Sequence, residues 1–361
     1  MIKRFWILIC LIILAACTTT DEPKQENEPT NEAQYINNVV ESDFAPVGAV
    51  GFVQNNKTTF ITWENLAFRA GLPLTDFIQP QNEIAIFLAN GETIRTTNFS
   101  EAIVGILNEN VSLGLADGTV FHNIAGVIAD PPEISIIQAY YDMLYYLQSG
   151  ERVMVIVLDG WGWEMHHYFA DVQPFLAAQV ARMAHTVFPP FTPVAMSSIF
   201  TGQTPNIHGV HDRATRTMSA PDIFEVASSL GYTSTRVQGG VVIVQTSERP
   251  VLVPNLQDRY ATDQSVFDAT MSRIDESDLL FIHFNSIDDA AHTYGPYASE
   301  VAASMALLDD LVQKLVEARG GIAIITADHG QHLLGEPNRM GDHLWVSHED
   351  IFVPYIVIGG R

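Results

Sequence analysis

Residues 153–160 read VMVIVLDG, six consecutive apolar residues followed by an acidic residue and a glycine. A short apolar run without polar alternation is typical of a strand buried on both faces, as in a parallel sheet. Similar runs recur at Leu279 to Phe284, Ile322 to Ile325 and Val353 to Ile358. Helical stretches such as Val301 to Ala318 separate them. This alternation predicts an α/β layered fold, with a sheet of mostly parallel strands and helices on both of its faces.

Acidic residues and histidines occur at the predicted ends of these strands. They are Asp159 after the first run, Asp288 and His292 after the second, Asp328 and His329 after the third, and His343 or His348 before the last. Functional groups in such sheets collect just beyond the carboxyl ends of the strands. Carboxylates and imidazoles without thiolates suit two zinc ions, with manganese or iron as alternatives.

Thr192 lies where a proline-rich segment gives way to a helical stretch. Pro190 and Pro193 prevent a regular helix up to this point, whereas Val194 to Phe200 can form one. Free amides and the helix dipole at such a position favour a bound anion, for example a phosphoryl group. A simple helix cap is the alternative role for Thr192. The metal pattern favours a nucleophile, because two metal ions would lower the pKa of the threonine hydroxyl and clamp a phosphoryl oxygen.

Four motifs occur in the order found in the alkaline phosphatase superfamily. They are VLDG at 157–160, Thr192 followed by SIFTG at 198–202 and PNIHG at 205–209, DDAAHTYGP at 288–296, and TADHG at 326–330. The chain resembles most closely the type I phosphodiesterase and nucleotide pyrophosphatase branch, over roughly residues 151 to 361. The resemblance implies a metal-dependent hydrolase of phosphoric esters that acts on a small anionic substrate through a phospho-threonine intermediate.

The resemblance also implies two ligand sets. One metal would be held by Asp288, His292 and a late histidine, and the other by Asp159, Thr192, Asp328 and His329. His343 is preferred to His348 as the late histidine, because it precedes Glu349 by the family's usual spacing.

Arg213 departs from the family pattern, which often has Asn in this part of the chain. Its forked guanidinium could bind the extra anionic oxygen of a phosphomonoester. Pairing with Asp212 or exposure on the surface is the alternative. A phosphomonoesterase that uses Arg213 is therefore the alternative to a phosphodiesterase. A catalytically silent envelope protein that binds a surface polymer is the third possibility.

The N-terminus predicts export. Lys3 and Arg4 precede a short apolar run that ends in LAAC at 14–17, which resembles a bacterial lipoprotein signal cleaved before Cys17. The signal peptide, residues 1–17 ending at Cys17, would then be cleaved before Cys17, and the lipidated Cys17 would anchor the protein to the cell envelope, outside the cytoplasm. An ordinary signal peptide or a retained anchor is the alternative. The polar, acidic residues 18–34 predict a disordered tether.

The remaining regions are assigned from composition. Residues 35–133 show short β-like runs and one of the 12 histidines, His122, so they predict a small accessory domain that is α+β or β-rich. Residues 134–361 would form the catalytic domain. The formal net charge of −24 argues against nucleic-acid binding and would repel an anionic substrate unless bound cations reverse the local field.

Overall fold

The protein is described here by a computed structural model that covers residues 38–40, 48–62, 65–66, 71–254 and 259–359. The predicted signal peptide (1–17) and tether (18–34) lie outside the described residues. Within the described part of the chain, none of the helices has the length and apolar character needed to cross a membrane.

The N-terminal part of the described chain is β-rich and forms two five-stranded sheets. Its strands are β1 (Asn38–Val40), β2 (Ala49–Gln54), β3 (Lys57–Thr62), β4 (Leu72–Pro73), β5 (Ile84–Leu88), β6 (Thr93–Thr96), β7 (Ile103–Leu107), β8 (Asn110–Gly114), β9 (Thr119–Phe121) and β10 (Ile124–Ala129). One sheet has the order β1-β9-β8-β7-β4 and the other β3-β2-β10-β5-β6. A 3-10 turn, Leu74–Asp76, links β4 to the next strand. A domain boundary at residue 133 stays a prediction.

An eight-stranded sheet dominates the rest of the chain. The described residues of this part of the chain form ten strands, eight of which belong to the large sheet: β11 (Ile134–Ser135), β12 (Val153–Leu158), β13 (Ala181–His185), β14 (Ser234–Gly239), β15 (Val251–Val253), β16 (Leu279–Phe284), β17 (Ile322–Thr326), β18 (His332–Glu336), β19 (Arg339–Asp342) and β20 (Phe352–Ile358). The order in the large sheet is β11-β13-β20-β17-β12-β16-β14-β15, and β18 and β19 form a separate hairpin. Only β20 runs antiparallel to its neighbours in the large sheet.

Helices connect these strands. They are α1 (Gln138–Gln148), α2 (Trp163–Tyr168), α3 (Pro174–Ala177), α4 (Thr192–Thr201), α5 (Pro205–His208), α6 (Ile223–Ser229), α7 (Arg259–Met271), α8 (Ser286–Tyr294), α9 (Ser299–Arg319) and α10 (His348–Ile351). Every residue of β12, β16 and β17 is buried, so the sheet is covered on both faces. On one face, Phe200 of α4 and Phe224 of α6 pack against Phe281 of β16, with ring centroids 4.9 and 6.1 Å away. The predicted fold class is confirmed.

The direction of β20 places its start at the edge where the parallel strands end. Thr326, the last residue of β17, pairs with Val157 of β12 on one side and with Tyr355 of β20 on the other. Residues that follow β12, β16 and β17 therefore meet the segment that precedes β20. This edge carries the residues that the sequence singled out.

The segment before β20 also packs on the β-rich region. Val346 lies so close to two glycines that an added Cβ at Gly51 would come within 1.8 Å of the Val346 carbonyl oxygen, and one at Gly126 within 2.4 Å of the Val346 Cβ. Val346 and Phe352 share a buried cluster with Val53 and other residues of β2, β5 and β10. The β-rich sheet thus supports the segment that contains His343.

Candidate metal centre

The first ligand group consists of Asp159, Asp328 and His329 and is here called the Asp159 group. All three side chains are almost fully buried. The Nε2 atom of His329 lies 3.5 Å from Asp159 Oδ1 and 3.3 Å from Asp328 Oδ2. Within the described chain, both of these oxygens are buried without a hydrogen-bond partner. Unpaired buried carboxylate oxygens are costly, and a cation between them and the imidazole would remove that cost.

The second group consists of Asp288, His292 and His343 and is here called the Asp288 group. The Nε2 atoms of His292 and His343 lie 3.3 and 3.6 Å from Asp288 Oδ1. The side chains of Asp288 and His292 are 15% and 18% exposed, so this group is open to solvent, unlike the first. The rings of His329 and His343 stack at 3.6 Å and join the two groups.

The orientation of the imidazoles fits metal binding. Each of the three rings donates its Nδ1–H to a backbone carbonyl: His292 to Gly341 at 2.7 Å, His343 to Pro190 at 2.6 Å and His329 to Gly330 at 3.1 Å. The tautomer fixed in this way leaves each Nε2 with a lone pair directed into its group. The Nε2 atoms of His292 and His343 are only 3.2 Å apart. In the neutral rings both of these atoms are unprotonated, so they cannot form a hydrogen bond to each other.

Burial also lowers the pKa of two of these histidines. It lowers the pKa of His329 to about 4 and the pKa of His343 well below its usual value, so both rings are neutral near pH 7. Neutral imidazoles can act as ligands. Ligand atoms 2.0–2.1 Å from a tetrahedral ion would be about 3.3–3.4 Å apart, close to the separations within both groups.

The pKa values of the three carboxyl groups indicate that bound cations would stabilise them. Burial raises the pKa of Asp328 to about 6, and burial followed by the charge of Asp328 raises the pKa of Asp159 well above its usual value. Burial also raises the pKa of Asp288. Three acidic groups held this close would be protonated or repel one another unless cations were bound.

Supporting residues orient the carboxylates. Asn285 donates to Asp159 Oδ2 at 3.2 Å, and His283 Nε2 lies 3.2 Å from the same oxygen. Gln331 donates to Asp288 Oδ1, and the Gly160 N–H donates to Asp328 Oδ1 at 3.2 Å. His283, Asn285 and Gln331 were not predicted from the sequence. Asn285 follows β16 directly, and His283 is the one polar residue in an apolar strand, so both carried a signal.

Thr192 is the first residue of α4 and is half-buried. Its Oγ1 lies 3.3 Å from His329 Nε2, so the hydroxyl faces the Asp159 group as the sequence implied. The amides of Val194 and Ala195 both donate to the Phe191 carbonyl at 2.9 Å. The helix N-terminus therefore offers an anion fewer amides than the sequence suggested.

Two arginines flank the Asp288 group. Arg213 is exposed, lies 4.5 Å over the ring of Phe191, and places Nη2 3.4 Å from His343 Nε2. Its alternative partner, Asp212, instead accepts from the backbone N–H groups of Ala214 and Thr215. Arg339, which the sequence analysis did not consider, lies 3.4 Å from His292 Nε2 while it forms an ion pair with Asp342 at 2.7 Å.

Two family models match parts of the chain. A model of the type I phosphodiesterase/nucleotide pyrophosphatase family matches residues 153–249, and a model of the metalloenzyme superfamily matches residues 225–361. Together the two matches span residues 153–361, and the chain resembles the alkaline phosphatase superfamily. The match to the metalloenzyme superfamily implies divalent metal ions. The Asp159 and Asp288 groups are described residues that could hold such ions.

Two curated relatives match the chain over 86 residues. They are the catalytic subunits of GPI ethanolamine phosphate transferase 3 from Mus musculus and Homo sapiens, at 26% and 28% identity. The match covers 23% of this chain and 8% of each relative, so the chain spans less than a tenth of their length.

Among solved structures, similarity extends to phosphonoacetate hydrolase from Sinorhizobium meliloti 1021, at 21% identity and a TM-score of 0.43 over 50% of this chain and 57% of that one. The murine ectonucleotide pyrophosphatase/phosphodiesterase 5 shows 16% identity and a TM-score of 0.42 over 50% and 58% of the two chains.

The remaining histidines of the described chain lie outside the Asp159 and Asp288 groups. His348, the alternative to His343, bonds Thr58 of β3 at 2.8 Å. His208 bonds Ser198 at 2.9 Å in the buried interior, which is a structural role. The exposed Asp289 belongs to neither group.

Proposed function

We propose that the protein hydrolyses phosphoric esters, phosphodiesters first, through a covalent intermediate on Thr192 at a two-metal site. The observation that carries the proposal is the position of the Thr192 hydroxyl, 3.3 Å from His329 Nε2 and beside two joined ligand groups. Asp159, Asp328, His329 and Thr192 would hold one ion, and Asp288, His292 and His343 the other. The nitrogen and oxygen donors favour zinc over manganese or iron.

The chain's own residues define the reaction. Bound divalent ions would supply Lewis-acid stabilisation of the negative charge on the phosphoryl group. Thr192 Oγ1 loses its proton and attacks phosphorus, the bond from phosphorus to the leaving alcohol oxygen breaks, and the alcohol departs with a proton in place of the one that Thr192 lost. Water then cleaves the phospho-threonine and restores the hydroxyl. Asn285 and Gln331 keep Asp159 and Asp288 oriented throughout.

A phosphomonoesterase is the second candidate, and Arg213 is the observation that favours it. The guanidinium lies over Phe191 and beside His343, where it can reach an oxygen that is anionic in a monoester and esterified in a diester. Charge-assisted hydrogen bonds of this kind are about twice as strong as neutral ones. A catalytically silent envelope protein is the third candidate, and the complete ligand set disfavours it.

A turnover screen tests the proposal. The purified protein, loaded with zinc or manganese, is assayed with bis-p-nitrophenyl phosphate, p-nitrophenyl phosphate and p-nitrophenyl sulfate. We expect turnover of the phosphate esters, with the diester favoured. Failure to turn over any phosphoester with either metal bound would contradict the proposal and favour a silent binding protein.

The nucleophile is tested by Thr192→Ala. We expect turnover to disappear, because the attacking oxygen is gone. Metal content should stay nearly intact, because Thr192 is only one of the proposed ligands. Thr75→Ala removes the same atoms from an exposed threonine in the β-rich region and should leave turnover unchanged. Substantial activity in Thr192→Ala would show that another group attacks phosphorus.

We propose further that the protein is exported and anchored to the cell envelope through a lipid on Cys17. The support is the LAAC pattern at 14–17 and the acidic segment that follows it. Cys17→Ser should give a soluble or unprocessed protein in detergent phase partitioning. A processed Cys17→Ser protein that still partitions with detergent would contradict lipidation at Cys17.

A further inference from the structure

A second cleft lies away from both ligand groups. It has a volume of about 960 Å³, and its lining includes Trp163, Tyr168, Tyr297, Glu164, Asn55 and Asn56. None of the proposed metal ligands is among its described lining residues. We call it the Trp163 cleft. The turn between β2 and β3 supplies Asn55 and Asn56, so the β-rich region forms one wall and the large α/β region the other.

A chain of hydrogen bonds holds the two walls together. The His348 N–H donates to Thr58 Oγ1 at 2.9 Å, so the Thr58 hydroxyl can donate to His348 Nδ1 at 2.8 Å. This leaves the ring proton of His348 on Nε2, 3.5 Å from Glu164 Oε1. Tyr297 donates to the other oxygen of Glu164 at 3.4 Å. The cleft is therefore preformed, and both long contacts leave the Glu164 carboxylate with capacity to accept further hydrogen bonds.

Aromatic side chains make up much of the remaining surface. Tyr168 is 65% exposed and meets Tyr297 with ring centroids 5.0 Å apart, and Trp163 is half-buried beside them. Rings of this kind present flat apolar faces with polar groups at their edges. Exposing such surface to water is unfavourable, so covering it with a ligand would make the binding free energy more favourable.

The charges of the lining select the ligand class. Glu164 carries the one fixed charge among the described lining residues, and no lysine or arginine is among them. An anionic ligand such as a nucleotide would be repelled by Glu164. The volume lies at the upper end of the range for ligand sites, about 300–1,000 Å³, and exceeds what a small ammonium group needs.

We propose that the Trp163 cleft binds a neutral oligosaccharide. The C–H faces of pyranose rings would stack on Trp163 and Tyr168, and ring hydroxyls would bond the Asn55 and Asn56 amides and the Glu164 carboxylate. The β-rich region then serves as one wall of a glycan-binding site. This inference stands independently of the proposed hydrolysis, because it uses none of the metal-binding residues.

Titration calorimetry on the full-length protein in detergent tests the proposal. The probes are maltotetraose, cellotetraose, chitotetraose and mannotetraose, with choline chloride as the cationic comparison. We expect at least one tetrasaccharide to bind, and Trp163→Ala and Tyr168→Ala each to weaken its affinity at least about tenfold. Tyr145→Ala is the matched control, since Tyr145 is also 65% exposed but lies on α1.

Three results would overturn the proposal. The first is no tetrasaccharide binding at about 10 mM, a concentration that detects even millimolar affinity. The second is tetrasaccharide binding that Trp163→Ala and Tyr168→Ala leave unchanged. The third is binding of choline alone, which would make the cleft a site for organic cations. Tyr168→Ala should retain the wild-type melting temperature and the wild-type hydrolysis of any aryl phosphoester, which separates a lost contact from a misfolded variant.

Discussion

The two ligand groups differ in how far they are open to water. In the Asp159 group, all three side chains are at most 2% exposed, whereas Asp288 and His292 of the other group are 15% and 18% exposed. The closed group faces Thr192, and the open group faces the arginines Arg213 and Arg339. The difference suggests a division of labour, in which the closed group fixes the attacking oxygen and the open group receives the substrate.

Metal removal should separate the groups and gives the largest expected effect. During dialysis against EDTA, we expect the ion of the Asp288 group to leave first, because water and chelator reach its ligands. Activity should be abolished with the first ion, since the proposed reaction needs an ion in both groups. Metal content by mass spectrometry, followed together with turnover, checks this. Simultaneous loss of both ions would show that the difference in exposure has no kinetic consequence.

The protein freed of both ions should also become sensitive to pH. Burial raises the pKa of Asp328 to about 6, above the value of about 3.9 in an unfolded chain. The unfolded state therefore loses this proton first, and the free energy of unfolding falls as pH rises from about 4 to above 6. Thermal melting with EDTA at pH 5 and pH 7.5 should show the lower melting temperature at pH 7.5. A metal-free Asp328→Asn protein should show a smaller difference between the two pH values.

The supporting residues give the next effect. Asn285→Ala removes a donor from Asp159, and Gln331→Ala removes one from Asp288. Losses of such outer contacts typically cost about 10- to 100-fold in metal affinity or activity. We expect Asn285→Ala to reduce mainly kcat, because it disturbs the group beside Thr192, and Gln331→Ala to raise mainly KM. Identical changes in both parameters would contradict the division of labour.

Arg213→Ala should have the smallest and most selective effect. Loss of a charged hydrogen bond, about 1.5–3 kcal/mol, predicts a ten- to hundredfold loss of monoester turnover and a smaller loss with diesters. Arg182→Ala is the control, because Arg182 is also exposed and makes only a long ion pair with Glu133 at 3.5 Å. Equal losses on both ester classes would show that Arg213 does not select between them.

The sequence predicted the large sheet and its ligand-bearing edge well, because these depend on local patterns. The apolar runs match β12 and β16 residue for residue, with Asp159 directly after β12 and Asp288 in the first turn of α8 after β16. The apolar residues from Ile134 to Leu147 recur at helical spacing, but the helix begins only at Gln138, because Ile134 and Ser135 pair with β13. Apolar spacing alone did not reveal this pairing, since it depends on a strand distant in sequence.

The contacts between side chains were less predictable. Whether His343 or His348 joins Asp288 depends on how the segment before β20 folds, and this segment rests on Gly51 and Gly126 of the β-rich region. Arg339 reaches His292 because the β18–β19 hairpin folds back on α8, a contact that no motif encodes. The Trp163 cleft depends on two regions that are far apart in the chain and could not be inferred from either one.

The close approach of Val346 to Gly51 and Gly126 has a consequence for how the protein tolerates change. A methyl group at either glycine would displace Val346, three residues after His343, and with it the backbone that carries this histidine. A mutational scan selected for hydrolysis should therefore rank these two glycines among the least substitutable positions, although neither strand bears a ligand. Joining the α/β region to a different β-rich region would require a pair of strands with glycines at the two positions that contact Val346.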